Sequence, residues 1–203
     1  MRFIAEDIVV SRGEETVIGG LSLSLAPGEA LLVTGENGTG KSTLLAALAG
    51  LVPLDAGTVR AEGLPPAWAD RPVRELCHLL AAGNAMKDAM SVGENLTFWR
   101  DLDGEPHLEI DEALDLVGLG HLESVPFAHL STGQRRRVGI ARLAVSFRPV
   151  WLLDEPTSGL DAPATAQFEA LVRAHLEEDG MVVAATHVPL DLPGASRLRL
   201  GER

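Results

Sequence analysis

The sequence predicts an α/β fold with a mostly parallel sheet, an N-terminal antiparallel β-subdomain and a helical insertion, and three observations predict it. Short apolar runs at residues 30–34, 150–153 and 181–185 have strand length and no alternation, so they read as strands buried on both faces. Helical patterns alternate with them, as crossovers between parallel strands require. From about residue 65 to 125 the chain changes character, towards helix formers and helix punctuation.

In chain order, residues 2–10 and 16–25 read as strands around the turn R-G-E-E. Residues 30–34 lead into a glycine-rich loop and an apolar helix beginning near Lys41, a strand–loop–helix unit. S-V-G-E at 91–94 has the spacing of a capping box. Residues 108–117, L-E-I-D-E-A-L-D-L-V, show helical periodicity. Between the last two apolar runs, Ala164, Phe168, Leu171, Val172 and Leu176 mark one face of a helix. Residues 1–203 are expected to form one domain. Its core and β-subdomain fall at about 1–64 and 150–203, with the insertion at about 65–149.

Composition narrows the function. The chain is 46% apolar and 23% charged, ordinary for a globular protein. With 17 basic and 29 acidic residues its net charge is −12, which argues against a general affinity for nucleic acid or anionic lipid. Basic residues cluster only at Arg135, Arg136 and Arg137, so an anion site is expected to be local. Cys77 is the single cysteine, which precludes an internal disulfide and fits a reducing cytoplasmic setting. The start M-R-F-I-A-E-D carries acids where a secretory signal has its apolar run. The longest apolar stretch, 138–153, is broken by Arg142, Arg148 and Pro149, so the chain is not expected to insert into lipid.

G-E-N-G-T-G-K-S at 35–42 matches the phosphate-binding pattern G-x-x-x-x-G-K-[ST], between a strand and a helix. Its glycines let backbone N–H groups turn inward around a polyphosphate at a helix N-terminus. The expected ATP-binding set is Gly35, Glu36, Asn37, Gly38, Thr39, Gly40, Lys41, Ser42 and Thr43. Lys41 reaches the β- and γ-phosphates and the Ser42 hydroxyl ligates Mg²⁺. V-W-L-L-D-E-P at 150–156 ends a buried strand in two carboxylates. Asp154 is expected to hold Mg²⁺, since a carboxylate there stays ionised cheaply only beside a cation. Glu155, one residue on, is the expected general base for the attacking water. Thr186-His187 ends the next strand, where ligands of open α/β sheets gather. A neutral His187 is expected to hydrogen-bond the γ-phosphate, and His78, His107, His121, His129 and His175 read as structural.

H-L-S-T-G-Q-R-R-R-V at 129–138 poses a puzzle. Ser131 and Gln134 have capping-box spacing, yet three arginines follow at a helix start that is already positive. Gly133 clears space beside the first turn, which leaves N–H groups open to an anion. The simplest anion is a γ-phosphate held by a second copy of the chain.

Taken together, the phosphate loop, L-S-T-G-Q, the strand ending in Asp-Glu-Pro, S-G-L-D at 158–161 and Thr-His resemble the nucleotide-binding subunits of ATP-binding-cassette transporters. That resemblance implies a P-loop NTPase core of the ABC ATPase fold, with ATP and Mg²⁺ as cofactors. It also implies a head-to-tail dimer in which Ser131, Thr132, Gly133 and Gln134 close on the ATP of the second copy, with the arginines either facing that anion or holding neighbouring loops. Ser158, Gly159, Leu160 and Asp161 would form the dimer loop, and integral-membrane subunits would complete the transporter at the cytoplasmic face of the bacterial inner membrane. Within the family, G-E-N-L-T-F-W, Q-R-R-R-V-G-I-A-R-L and T-H-V-P-L resemble the haem-exporter ATPases of bacterial cytochrome c maturation. That resemblance implies haem export, or release of haem from its chaperone.

The chain departs from the family in three places. Thr132 stands for a signature glycine. The glutamine that usually opens the insertion is missing, its slot falling near Gly83 and Asn84. No tyrosine is available to stack on adenine, and Arg12 is the expected substitute, which implies weak base selectivity. A cassette acting on nucleic acid or the ribosome is disfavoured by the acidic surface, the single phosphate loop and the absence of a coiled coil or cysteine-ligated zinc. A small-molecule kinase leaves L-S-T-G-Q unexplained.

Overall fold

A computed structural model describes residues 1–201. β1 (Arg2–Arg12) and β2 (Glu15–Leu25) form a hairpin that closes with Arg12 opposite Glu15, so the turn is shorter than the four residues read from the sequence. β1 buries Phe3 and Ala5, then Ile8 and Val10. The switch of parity follows from a register shift between Ala5 and Ile8. Asp7 occupies a positive φ of 47° there, and Ser22 braces it, donating to Asp7 Oδ1 while accepting from the Asp7 N–H. β3 (Ala30–Thr34) and α1 (Lys41–Leu48) follow, and β4 (Ala56–Glu62) pairs with the other edge of β1. The β-subdomain is therefore the antiparallel sheet β2-β1-β4.

The remaining strands are β5 (Cys77–Leu80), β6 (Val150–Asp154), β7 (Met181–Ala185) and β8 (Ser196–Arg199). They join β3 in a five-stranded sheet, order β5-β6-β7-β3-β8, parallel at every pair. β6 and β7 are buried at every position, which is why they read as unbroken apolar runs. α2 (Val92–Asp103), α3 (Ile110–Leu116) and α4 (Thr132–Val145) form the insertion, and α5 (Ala162–Glu177) crosses from β6 to β7. β5 falls inside the 65–149 span, so that span lends one edge strand to the parallel sheet. No helix follows β7 among the described residues, in keeping with Pro189 and Pro193. Nor is any helix there long and apolar enough to cross a membrane.

Alternation along the strands feeds two cores. Leu31, Val33, Val150, Leu152, Met181 and Val183 pack with α1 and the β-subdomain. Leu32, Trp151, Leu153, Val182 and Ala184 pack with α2, α3, α4 and α5.

Two histidines lie inside the fold. His78 hydrogen-bonds the Ser146 carbonyl at 2.9 Å, and the His175 ring stacks on Trp151 at 3.9 Å. Burial pushes the pKa of His78 down to about 3 and of His175 to about 4, from the ordinary 6.5. Below pH 6.5 the unfolded chain therefore binds protons that the folded chain refuses. Stability is expected to fall as pH drops from about 6.5 towards 4, by up to about 1.4 kcal/mol per pH unit for each histidine. The urea midpoint measured at pH 7 and pH 5 checks this; equal midpoints would contradict it.

Candidate active site

Because β3, β6 and β7 run parallel, their C-terminal ends meet along one edge of the sheet. The 35–42 loop leaves β3 at that edge, and Gly40 is the N-cap of α1 at φ +96°. A Cβ on Gly40 would lie 2.6 Å from Val17 Cγ1, and one on Gly35 would lie 2.6 Å from the Leu200 carbonyl oxygen. β2 on one side and the chain after β8 on the other thus hold the loop, and only glycine fits where they approach. Lys41 is buried, and its Nζ donates to the carbonyls of Gly35 at 2.8 Å and Glu36 at 2.9 Å. These bonds draw the loop round its own lysine and leave one of the three ammonium protons to spare.

Thr39 Oγ1 donates to the Glu36 carbonyl at 2.9 Å, and Thr43 is buried in the first turn of α1. Glu36, Asn37, Gly38 and Ser42 are exposed. An exposed loop at a helix start, bonded across by a buried ammonium, is an arrangement in which backbone N–H groups can receive a polyphosphate. A cleft of about 720 Å³ adjoins it, lined by Val17, Gly19, Gly38, Thr39 and Leu200 among others. Arg12 is exposed at the end of the hairpin and is not one of its walls.

Asp154 ends β6 and is 8% exposed, yet among the described residues its carboxylate accepts no hydrogen bond. A carboxylate at a strand end with no hydrogen-bond donor can take a cation, beside the Arg136 guanidinium whose charge already acts on it. One carboxylate and the exposed Ser42 hydroxyl make a sparse, hard-oxygen donor set, which fits an ion such as Mg²⁺ that keeps several waters and takes the rest from substrate phosphates. No cluster of three His, Cys, Asp or Glu side chains that could cage a metal occurs among the described residues.

Glu155 sits at φ +45°, a left-handed conformation costing a non-glycine residue about 1–2 kcal/mol. Its N–H donates to the Ala185 carbonyl at 2.8 Å, which ties the turn after β6 to the end of β7. Its Oε2 lies 2.8 Å from His187 Nδ1 and accepts from the His187 N–H at 3.4 Å. Sequence spacing gave these two residues separate tasks, whereas the structure places them in contact. With Nδ1 facing Glu155, Nε2 is the ring nitrogen left to face a phosphate oxygen.

At the start of α4 the capping box is formed in full: Gln134 N–H donates to Ser131 Oγ at 3.3 Å, and Ser131 N–H to Gln134 Oε1 at 2.9 Å. Ser131 and Thr132 are exposed. A Cβ on Gly133 would lie 3.1 Å from the Gly159 carbonyl oxygen, so the L-S-T-G-Q turn lies against the S-G-L-D segment of the same chain. That segment leaves Glu155 through a turn in which Ser158 N–H donates to the Glu155 carbonyl, and Asp161 caps α5 by accepting from Ala164 N–H at 2.9 Å.

In the structure the three arginines hold neighbouring segments: each grips backbone carbonyls of its own chain, and Arg135 also pairs with Asp88 at 3.4 Å. Arg135 donates to Leu130 and Ala128 and lies over the Phe127 ring, and Arg137 donates to Val117. Arg136 donates to the carbonyls of Ala81, Asp154, Glu155 and Pro156. Asn84 turns towards α4. Its buried Oδ1 has no hydrogen-bond partner among the described residues and would lie 2.9 Å from a Cβ on Gly139.

Comparison with known proteins agrees with this geometry. The family model described as "ABC transporter" matches residues 18–158. The "Cytochrome c biogenesis ATP-binding export protein CcmA" of Chelativorans sp. (strain BNC1) is 53% identical over 99% of this chain and 98% of that protein. The protein of the same name from Mesorhizobium japonicum is 52% identical, with the same coverage. Among solved structures, a putative ABC transporter ATP-binding protein from Pyrococcus furiosus superposes with a TM-score of 0.82, at 21% identity over 98% of both chains. The fold, the motif-bearing span and the identity over nearly the whole length agree: the chain belongs to the ABC transporter family, as an ATP-binding and ATP-hydrolysing member.

Proposed function

We propose that this chain is the nucleotide-binding subunit of a membrane transport complex that powers haem export, or release of haem from its chaperone, during cytochrome c biogenesis. The names of its relatives at 53% and 52% identity support the pathway. The observation that carries the mechanism is that the phosphate cradle, Asp154, Glu155 and His187 share one edge of one sheet.

Two copies pair head to tail, each binding ATP in its own 35–43 loop. The loop N–H groups and Lys41 hold the β- and γ-phosphates and offset the charge that moves onto the leaving oxygen. Ser42 and Asp154 would hold Mg²⁺, which when bound supplies further positive charge to the phosphates. Glu155 accepts a proton from water as its oxygen bonds the γ-phosphorus and the bond to ADP breaks. His187 orients that carboxylate through Nδ1 and contacts the γ-phosphate. Ser131, Thr132, Gly133 and Gln134 close the site of the second copy, with Ser158, Gly159, Leu160 and Asp161 at the dimer contact. Arg12 stacks on the base from the hairpin end. The pair sits on integral-membrane subunits at the cytoplasmic face of the bacterial inner membrane, without inserting into lipid or binding nucleic acid.

Deleting the gene from its host tests the pathway. Haem covalently bound to c-type cytochromes should vanish from stained gels and return with the wild-type gene, but not with Glu155→Gln. Unchanged haem staining in the deletion strain would overturn the assignment.

A further inference from the structure

Arg136 lies just past the L-S-T-G-Q turn, within Q-R-R-R-V-G-I-A-R-L, and its side chain reaches the strand end that carries Asp154 and Glu155. It is 5% exposed, one turn into α4. Its Nε donates to the Pro156 carbonyl at 3.0 Å and one terminal nitrogen to Ala81 at 2.7 Å. The other terminal nitrogen donates to both Asp154, at 2.6 Å, and Glu155, at 2.8 Å. Those two carbonyls belong to the peptide planes on either side of the Glu155 Cα. Gripping both fixes the rotation about that Cα, and Glu155 is the residue held at φ +45°. A planar guanidinium can span four carbonyls from two segments at once, which a lysine ammonium on a flexible stem cannot.

α4 carries the signature turn at its start and Arg136 within its second turn, so a shift of one moves the other. The contact of Gly133 with the Gly159 carbonyl couples the same two segments a second time.

We propose that Arg136 is a positioning residue that links the signature turn of each copy to that same copy's Glu155. Closure of α4 on the nucleotide of the second copy and alignment of the copy's own base then become a single event. The inference rests on the catalytic reading above and adds to it a route by which the two ATP sites regulate each other.

The test compares Arg136→Lys, which keeps the charge, and Arg136→Gln, which keeps two donors, with wild type and Glu155→Gln. Melting curves, ATP affinity, kcat and the Hill coefficient for ATP hydrolysis are measured for each. At least one Arg136 variant should fold and bind ATP within about threefold of wild type. Its kcat should fall roughly 10- to 100-fold, the scale of a displacement of about 1 Å at a reacting group, and its Hill coefficient should fall below the wild-type value. Unchanged kcat and Hill coefficient in a folded variant would overturn the proposal. So would failure of both variants to fold, which would make Arg136 a structural clamp only. Undiminished turnover in Glu155→Gln would instead remove the catalytic reading on which the proposal stands.

Discussion

Glu155→Gln is expected to lower kcat for ATP hydrolysis by about two to four orders of magnitude, the usual contribution of a positioned general base. ATP binding should survive, because Glu155 takes no part in the loop: its backbone is held by Ala185 and Arg136 and its carboxylate by His187. The amide keeps the shape and can still hydrogen-bond His187, but it cannot take a proton from water. Affinity and single-turnover hydrolysis, measured separately, divide the two effects. A variant that binds ATP and hydrolyses it at the wild-type rate would remove Glu155 from the chemistry.

Lys41→Ala is expected to act at the other step. Removing a charged donor to phosphate costs about 1.5–3 kcal/mol, or roughly 10- to 150-fold in ATP affinity. The same ammonium holds the Gly35 and Glu36 carbonyls, so its loss also frees the loop from the ring that shapes it. Both effects weaken binding, so the upper end of that range is expected. Titration with a fluorescent ATP analogue reads the result directly. Affinity within twofold of wild type would show that the loop amides hold the phosphate without the lysine.

These two residues were legible in the sequence because their chemistry is local. A strand, six loop residues and a lysine specify a phosphate cradle wherever they fold, and two acids after an apolar strand have little else to do. The buried strands β3, β6 and β7 were legible for a related reason: both faces are covered, so no polar residue interrupts the run. β4 and β8 were not, because they are edge strands with exposed positions, and A-G-T-V-R-A-E and S-R-L-R carry charges that a buried strand lacks. β5 escaped because four residues, C-H-L-L, set no period.

The arginines show the harder limit. The cations do stand at an unfavourable helix start, but apart from Asp88 beside Arg135 their partners are carbonyls at residues 81, 117, 128, 130 and 154–156. Backbone carbonyls leave no mark in a sequence. The contact between Glu155 and His187 was hidden for a similar reason, since it depends on the turn after β6 reaching the end of the neighbouring strand.

We propose that this chain drives a membrane complex of cytochrome c biogenesis through an ATP-closed pair. The most direct measurement is capture of detergent-solubilised Glu155→Gln protein in Mg·ATP, followed by mass spectrometry of what it retains. The variant should hold the closed pair together with small integral-membrane proteins of cytochrome c maturation. Capture of a different permease would contradict the haem pathway, and capture of ribosomal or DNA-associated proteins with no membrane subunit would contradict the transporter itself.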